Sequence, residues 1–183
     1  MNIAYLKETT DGAEAYKHIH ADAELVQKES LHDASNALQN DQCNALLCVI
    51  ESAKTGTNYE LYDMLHSAKN LHIVAEFIPN NTHAERFVLV SKTPNKPEDS
   101  NKASLMFVVS HKPGSLYNAL AVFENYGLNL TKIESRRMYE KSYQYIFYVD
   151  FTYTEDQLRK MDEILAVYRE NTQHLQIAGL YQS

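Results

Sequence analysis

The chain has 183 residues and a formal net charge of −7, with 17 Lys and Arg against 24 Asp and Glu. It is 44% hydrophobic and 22% charged with 5 Gly and 4 Pro, an ordinary globular composition that excludes collagen-like and low-complexity chains. It lacks the basic footprint of a nucleic-acid binder, and no run of 18 apolar residues offers a membrane span. The opening MNIAYLKETTDG has neither a basic n-region nor a long apolar stretch. No signal peptide is therefore expected, and the cytoplasm is the expected location.

Charge and aromatic content divide the chain. All of the net charge falls within residues 1–100, whereas 9 of the 13 tyrosines fall within 101–183. Between them lies Ser91 to Ser100, with two of the four prolines and almost no apolar residue. Proline neither continues a helix nor donates to a central strand, so this reads as a linker. The expected domains are 1–91 and 103–183, joined by 92–102.

The first unit alternates short apolar runs with helical patterns. Ile3 to Leu6 and Ala23 to Lys28 read as strands, with a short helix over Gly12 to His18 between them. Ser30 opens a helix through Leu38, capped by its hydroxyl and favoured by the Asp33 carboxylate at the positive helix end. Asn44 to Glu51 is a buried strand, Tyr59 to Ala68 a helix, and Leu71 to Ile78 and Arg86 to Ser91 further strands. Such alternation implies a small one-lobe α/β domain with a parallel or mixed sheet. Cys43 and Cys48 lie five apart in an apolar run and are expected on opposite faces of a strand, as buried hydrophobes.

The second unit has the order β-α-β-β-α-β, a ferredoxin-like α+β unit. Ser104 to Ser110 is a strand broken by Pro113-Gly114-Ser115. A helix follows to Tyr126 and ends at Gly127 as a left-handed cap. Leu128 to Arg136 and Tyr143 to Phe151 are strands, the odd positions Tyr143, Tyr145, Phe147, Val149 and Phe151 sharing a face. Thr154 and Gln157 form a capping box that starts a single second helix with the stripe Leu158, Met161, Leu165 and Tyr168. Leu175 to Ile177 closes the order. Right-handed crossovers place both helices on one face of a four-stranded antiparallel sheet, and the other face must be covered or solvated.

Two segments of this unit carry chemistry. Where Lys112-Pro113-Gly114-Ser115-Leu116 turns a strand into a helix, the first helical amides lack internal partners and face an anion site. A carboxylate fits it, as would a phosphate. In the strand after the helix, Asn129, Thr131 and Ile133 are expected on one face and Leu130, Lys132 and Glu134 on the other. The Asn129 side chain and neighbouring carbonyls can accept from an ammonium group. Carboxylate site, ammonium acceptors and apolar walls together describe a pocket for a free amino acid.

At these residues the sequence resembles the ACT regulatory domain of prephenate dehydratase. Lys112 to Tyr117 matches the family's Gly-Ala-Leu turn, with Ser115 for alanine. Gly127 to Arg136 matches its Glu-Ser-Arg-Pro strand, with Arg137 for the proline. The resemblance implies L-phenylalanine or a similar amino acid as ligand, bound between two ACT domains of a homodimer. It assigns Gly114, Ser115 and Leu116 to the carboxylate and turn, and Asn129, Leu130 and Thr131 to the amino group and pocket floor. Ile133, Glu134, Ser135 and Arg136 shape the wall.

The resemblance extends upstream more weakly. Val49 to Ala53 with Gly56-Thr57, Tyr62 to Leu65, Val74-Ala75-Glu76 and Glu85-Arg86-Phe87 look like dehydratase segments. The departures carry more weight. Glu76 is followed within ten residues by Arg86, so the stretch that builds the enzyme's second lobe is absent. Ser52 stands for an asparagine and Glu85 for the threonine that the family uses in catalysis. Glu51, Ser52, Glu85, Arg86 and Phe87 are thus remnants of a catalytic site. Dehydration of prephenate needs an acid in reach of the leaving hydroxyl and donors for two carboxylates, and one acidic lobe opposes such a dianion.

Three readings follow. The first is a regulatory, L-phenylalanine-sensing protein, its first unit inert in catalysis and serving as a docking surface for another enzyme of aromatic amino-acid synthesis. The second is a shortened dehydratase whose active site is completed across subunits. The third is a structural partner with an empty pocket. No cofactor or metal is expected. The eight histidines show no metal spacing, and the tyrosines at 143, 145 and 148 suit sheet packing or a dimer face better than base stacking.

Overall fold

The computed structural model describes residues 1–79, 85–94, 100–138 and 144–183. The centre of the expected linker (95–99), Tyr143 and His83 lie outside them. The chain divides into two compact units, Met1–Lys96 and Pro97–Gln182.

In the first unit, β1 (Asn2–Leu6) leads through a 3₁₀ turn into α1 (Thr10–Ile19), then β2 (Glu24–Lys28), α2 (Leu31–Gln39), β3 (Ala45–Ser52), β4 (Gly56–Thr57), α3 (Tyr59–Ser67), β5 (His72–Phe77) and β6 (Glu85–Ser91). The described strands form one mixed sheet in the order β2-β1-β3-β6-β5, with β4 on β3. β1 pairs parallel with β2 and β3, whereas β6 runs antiparallel to β3 and β5. Helix α2 starts where Ser30 accepts from the Asp33 amide. The run Ala45-Leu46-Leu47-Cys48 is buried at every position, as expected of a strand covered on both faces. Cys43 lies before β3 rather than on it, so the expected two-faced arrangement on one strand does not form. Both cysteines are free and buried, and burial pushes both thiols up.

One side of this sheet packs Ile3, Leu47, Phe87 and Leu89 against Ala13 and Tyr16 of α1. Gly12 makes that approach possible, because a Cβ there would run into the Phe87 ring. Phe87 is fully buried and is held by Phe77, 6.3 Å away between ring centroids, so it has nowhere to yield. Overpacking of this kind costs about 1–3 kcal/mol and is only partly offset by the helix propensity of alanine. Gly12→Ala is therefore expected to lower the unfolding free energy by about 1–2 kcal/mol in urea titration. Wild-type stability would show that the helix shifts at no cost.

The second unit runs β7 (Lys102–Val108), α4 (Ser115–Asn125), β8 (Asn129–Arg137), β9 (Tyr145–Thr152), α5 (Glu155–Arg159), α6 (Met161–Glu170) and β10 (His174–Tyr181). Its four described strands are all antiparallel, in the order β10-β7-β9-β8. The expected single second helix is two. Lys160 ends α5 with its amide on the Gln157 carbonyl at 3.1 Å, a tightened turn that interrupts the helix before α6. The cap residues behave as their chemistry dictates. Gly127 has φ +64°, and the Leu128 and Gly127 amides return to the Phe123 and Glu124 carbonyls, closing α4. The Thr154–Gln157 box forms, and Gln157 Nε2 also donates to the Tyr126 and Gly127 carbonyls. One capping residue therefore fixes the end of the preceding helix as well.

The helices pack Ala119, Val122, Phe123, Met161, Ile164, Leu165 and Tyr168 onto Leu105, Phe107, Val149 and Phe151. Residues of the opposite face are buried as well. Ser104, Met106, Tyr148, Asp150 and Tyr181 are all at most 1% exposed. Polar groups on that face are satisfied in a chain. Tyr181 donates to Ser104 Oγ at 2.7 Å, and Ser104 donates to Asp150 Oδ1 at 2.7 Å.

Candidate functional site

The turn before α4 forms one side of a cleft of about 390 Å³, lined among others by Ser110, Lys112, Pro113, Leu116, Tyr145 and Phe147. Its geometry follows from Gly114, the N-cap of α4, at φ +83° in the left-handed region. Glycine holds that conformation without the penalty an L side chain carries. The Ser115 amide bonds the Lys112 carbonyl at 3.2 Å, and the Asn118 amide bonds that of Gly114 at 2.9 Å. Between them, the amides of Leu116 and Tyr117 meet no acceptor among the described residues. A hydroxyl pair, Ser110 Oγ and Ser115 Oγ at 2.7 Å, clasps the strand end to the helix start. Two free amides on the positive end of an eleven-residue helix, with no acidic residue in its first turn, suit a carboxylate.

Asn129 begins β8, as the sequence suggests, but not beside this turn. It pairs with Thr152, which in turn pairs with Lys102 at the far end of β7. The turn lies beyond Val108, roughly 20 Å away at the usual strand rise. One chain therefore does not close a pocket from Gly114–Leu116 and Asn129–Thr131. The expected facing of β8 is corrected too. A register shift between Leu130 and Lys132 breaks the alternation. Leu130 and Ile133 consequently lie opposite Phe151 and Val149 on the helix side, and Lys132 and Glu134 opposite Asp150 and Tyr148 on the other. The Thr131 hydroxyl donates to the Asp150 carbonyl at 3.1 Å, occupying the group freed by the bulge.

Ser135 and Arg137, by contrast, do reach the cleft end of the sheet, across from Phe147 and Tyr145. Neither aromatic residue follows from the paired motifs. The available signal was the alternation along residues 143–151, which places Tyr145 and Phe147 on one face.

The remnant residues of the first unit gather at one end of its sheet. Glu51 lies opposite Arg86, and Ser52 opposite Glu85. Arg86 is forked between two carboxylates, Nη1 to Glu51 at 2.7 Å and Nη2 to Glu76 at 2.9 Å. The Glu76 side chain is 3% exposed. Phe87, next in sequence, points into the core instead. Two carboxylates thus flank one guanidinium that is already neutralised, an unfavourable place for a dianion.

No protein-family model matches the chain. It is 39% identical over 113 residues to the bifunctional chorismate mutase/prephenate dehydratase of Aquifex aeolicus. It is 36% identical over 116 residues to the prephenate dehydratase of Methanocaldococcus jannaschii. Each match takes in 61% of this chain but only 31% and 42% of those proteins, so the chain spans less than half the length of these relatives. Its structure superposes on the prephenate dehydratase of Streptococcus mutans with a TM-score of 0.80 at 29% identity, over 99% of this chain and 97% of that one. The chain is a relative of the prephenate dehydratases.

Two other solved structures share the fold of this dehydratase relative. GqqA, described as a novel type of quorum quenching acylase, superposes with a TM-score of 0.85 at 20% identity, over 100% of this chain and 95% of that one. The prephenate dehydratase of Arthrobacter aurescens in complex with L-Phe superposes with a TM-score of 0.79 at 15% identity, over 100% and 90%. Among the described residues no helix is long and apolar enough to cross a membrane.

Proposed function

We propose that this chain is a regulatory protein that binds L-phenylalanine through its ACT-like second unit, as a homodimer, and that its first unit does not turn over prephenate. The observation that carries the reading is the cleft at the start of α4. There, Leu116, whose amide is unclaimed, lines one concavity with apolar and aromatic walls. A dehydratase relative of the same fold in complex with L-Phe supports it. Because Asn129 lies at the other end of its own sheet, the ammonium acceptors come from a second copy. A two-fold dimer repeats the junction of one protomer's turn with its partner's strand start, giving two equivalent sites. Regulation then follows if the ligand binds one arrangement of the dimer better than another.

The inert first unit is supported by the Arg86 fork, since both of its terminal nitrogens are committed to carboxylates of the chain itself. It serves in this reading as a docking surface for an enzyme of aromatic amino-acid synthesis. Isothermal titration of the full chain with L-phenylalanine is expected to give saturable heat, and the same sample is expected to form no phenylpyruvate above the spontaneous rate. A folded sample with no heat at millimolar ligand removes the proposal. Phenylpyruvate formation that is lost on replacing Glu85 or Arg86 supports a shortened dehydratase instead.

A further inference from the structure

We infer that β2 is an interface between copies of this chain: it pairs antiparallel with β2 of a second copy, centred on Val26, with Glu24 of each copy against Lys28 of the other. The inference concerns the first unit and stands whether or not the second unit binds an amino acid. β2 is the outermost of the described strands on its side of the sheet, and its register on β1 runs unbroken from Glu24 to Lys28. It carries neither proline nor bulge, two of the usual blocks to further pairing. The Glu24 amide donates to the Met1 carbonyl at 2.9 Å. Backbone groups turn alternately to the two sides of a strand, so those of Glu24, Val26 and Lys28 face β1 and those of Leu25 and Gln27 turn outward. The outward amides and carbonyls of Leu25 and Gln27 meet no partner among the described residues.

That alternation narrows the register. When two identical strands pair antiparallel, outward-facing residues must lie opposite one another. Within β2 this allows two-fold centres at Leu25, Val26 or Gln27. A centre at Leu25 sets Glu24 against Val26, and one at Gln27 sets Lys28 against Val26. A centre at Val26 instead sets Leu25 against Gln27 as the hydrogen-bonded pairs, Val26 against itself, and Glu24 against Lys28 twice. The charged pairs then fall at non-hydrogen-bonded positions, where side chains come closest and opposite charges stabilise. Glu24 is exposed, Lys28 is half-buried, and neither forms an ion pair among the described residues. Val26, at the centre, is 37% exposed. Charge complementarity of the strand with itself thus selects a second copy as the occupant. With five residues a side, the contact belongs to the weak class of interfaces, below about 1,200 Å².

The test is the full chain carrying Val26→Cys, oxidised mildly at high protein concentration and followed on a non-reducing gel. A non-hydrogen-bonded pair holds its Cα atoms about 4.5 Å apart, within reach of a disulfide, and the chain's own Cys43 and Cys48 are buried. Val26→Cys is expected to link into covalent dimers that a reductant separates. Adding Gln27→Pro removes an outward amide and none that faces β1, and is expected to slow the linking about ten-fold or more. Adding Glu24→Lys instead is expected to slow it about ten-fold, and Glu24→Lys together with Lys28→Glu to restore the parent rate. No covalent dimer from folded Val26→Cys overturns the inference. So does one rate in all the variants, which marks chance collision of exposed thiols. A double charge variant as slow as Glu24→Lys overturns the pairing of Glu24 with Lys28. None of these readouts involves an amino acid, so failure here leaves the reading of the second unit standing.

Discussion

Arg86→Met is expected to destabilise the protein by about 2–4 kcal/mol at neutral pH, most of it from Glu76 rather than Glu51. The Glu51 side chain is 37% exposed and can hydrate when its partner leaves, whereas Glu76 at 3% cannot. Removing the guanidinium would leave a buried carboxylate without its paired charge, the costly half of a broken ion pair. Urea unfolding at pH 7 should show the deficit. L-phenylalanine binding, proposed for the other unit, should be unchanged. A variant as stable as wild type at pH 7 would mean that the fork contributes nothing to folding.

A mixed-subunit titration is expected to give the second large effect. Gly114→Val forces a β-branched residue into the left-handed region, and Asn129→Ala removes the proposed ammonium acceptor. Each variant alone is expected to bind L-phenylalanine at least about ten-fold more weakly. In a heterodimer of the two, one junction carries both changes and the other neither. An equimolar mixture after subunit exchange is therefore expected to recover wild-type affinity at about a quarter of the chains, since half the dimers are mixed and each has one intact site. No recovery, with both variants folded and exchanging, would mean that a single chain holds the whole site.

The fold was legible wherever local chemistry decides it. The Ser30 cap, Gly127 and the Thr154–Gln157 box are each set by neighbours a few residues away, and all three form. What long-range pairing decides was not legible. The bulge after Leu130 is a property of the β8–β9 register, and nothing in the residues 129–134 themselves marks it. The separation of Asn129 from Gly114 has a similar origin. The two segments flank one helix and read as neighbours, yet an eleven-residue helix holds its ends roughly 16 Å apart. The cleft wall was half legible. Alternation along 143–151 puts Tyr145 and Phe147 on one face, but their meeting with the α4 turn depends on how strands and helix come together. In the first unit, the double engagement of Arg86 depends on β3, β5 and β6 lying side by side, which no single segment announces.

The two cysteines are the chain's full complement, and both sit in the first unit, at 5% and 1% exposure. Burial holds them as unreactive thiols, so an electrophilic reagent can attack only when that unit opens. The protein thereby carries its own unfolding clock for one half of the molecule, with the other half chemically silent. The rate of alkylation measures how often the first unit breathes, and adding the proposed amino-acid ligand would reveal whether its presence quiets that motion.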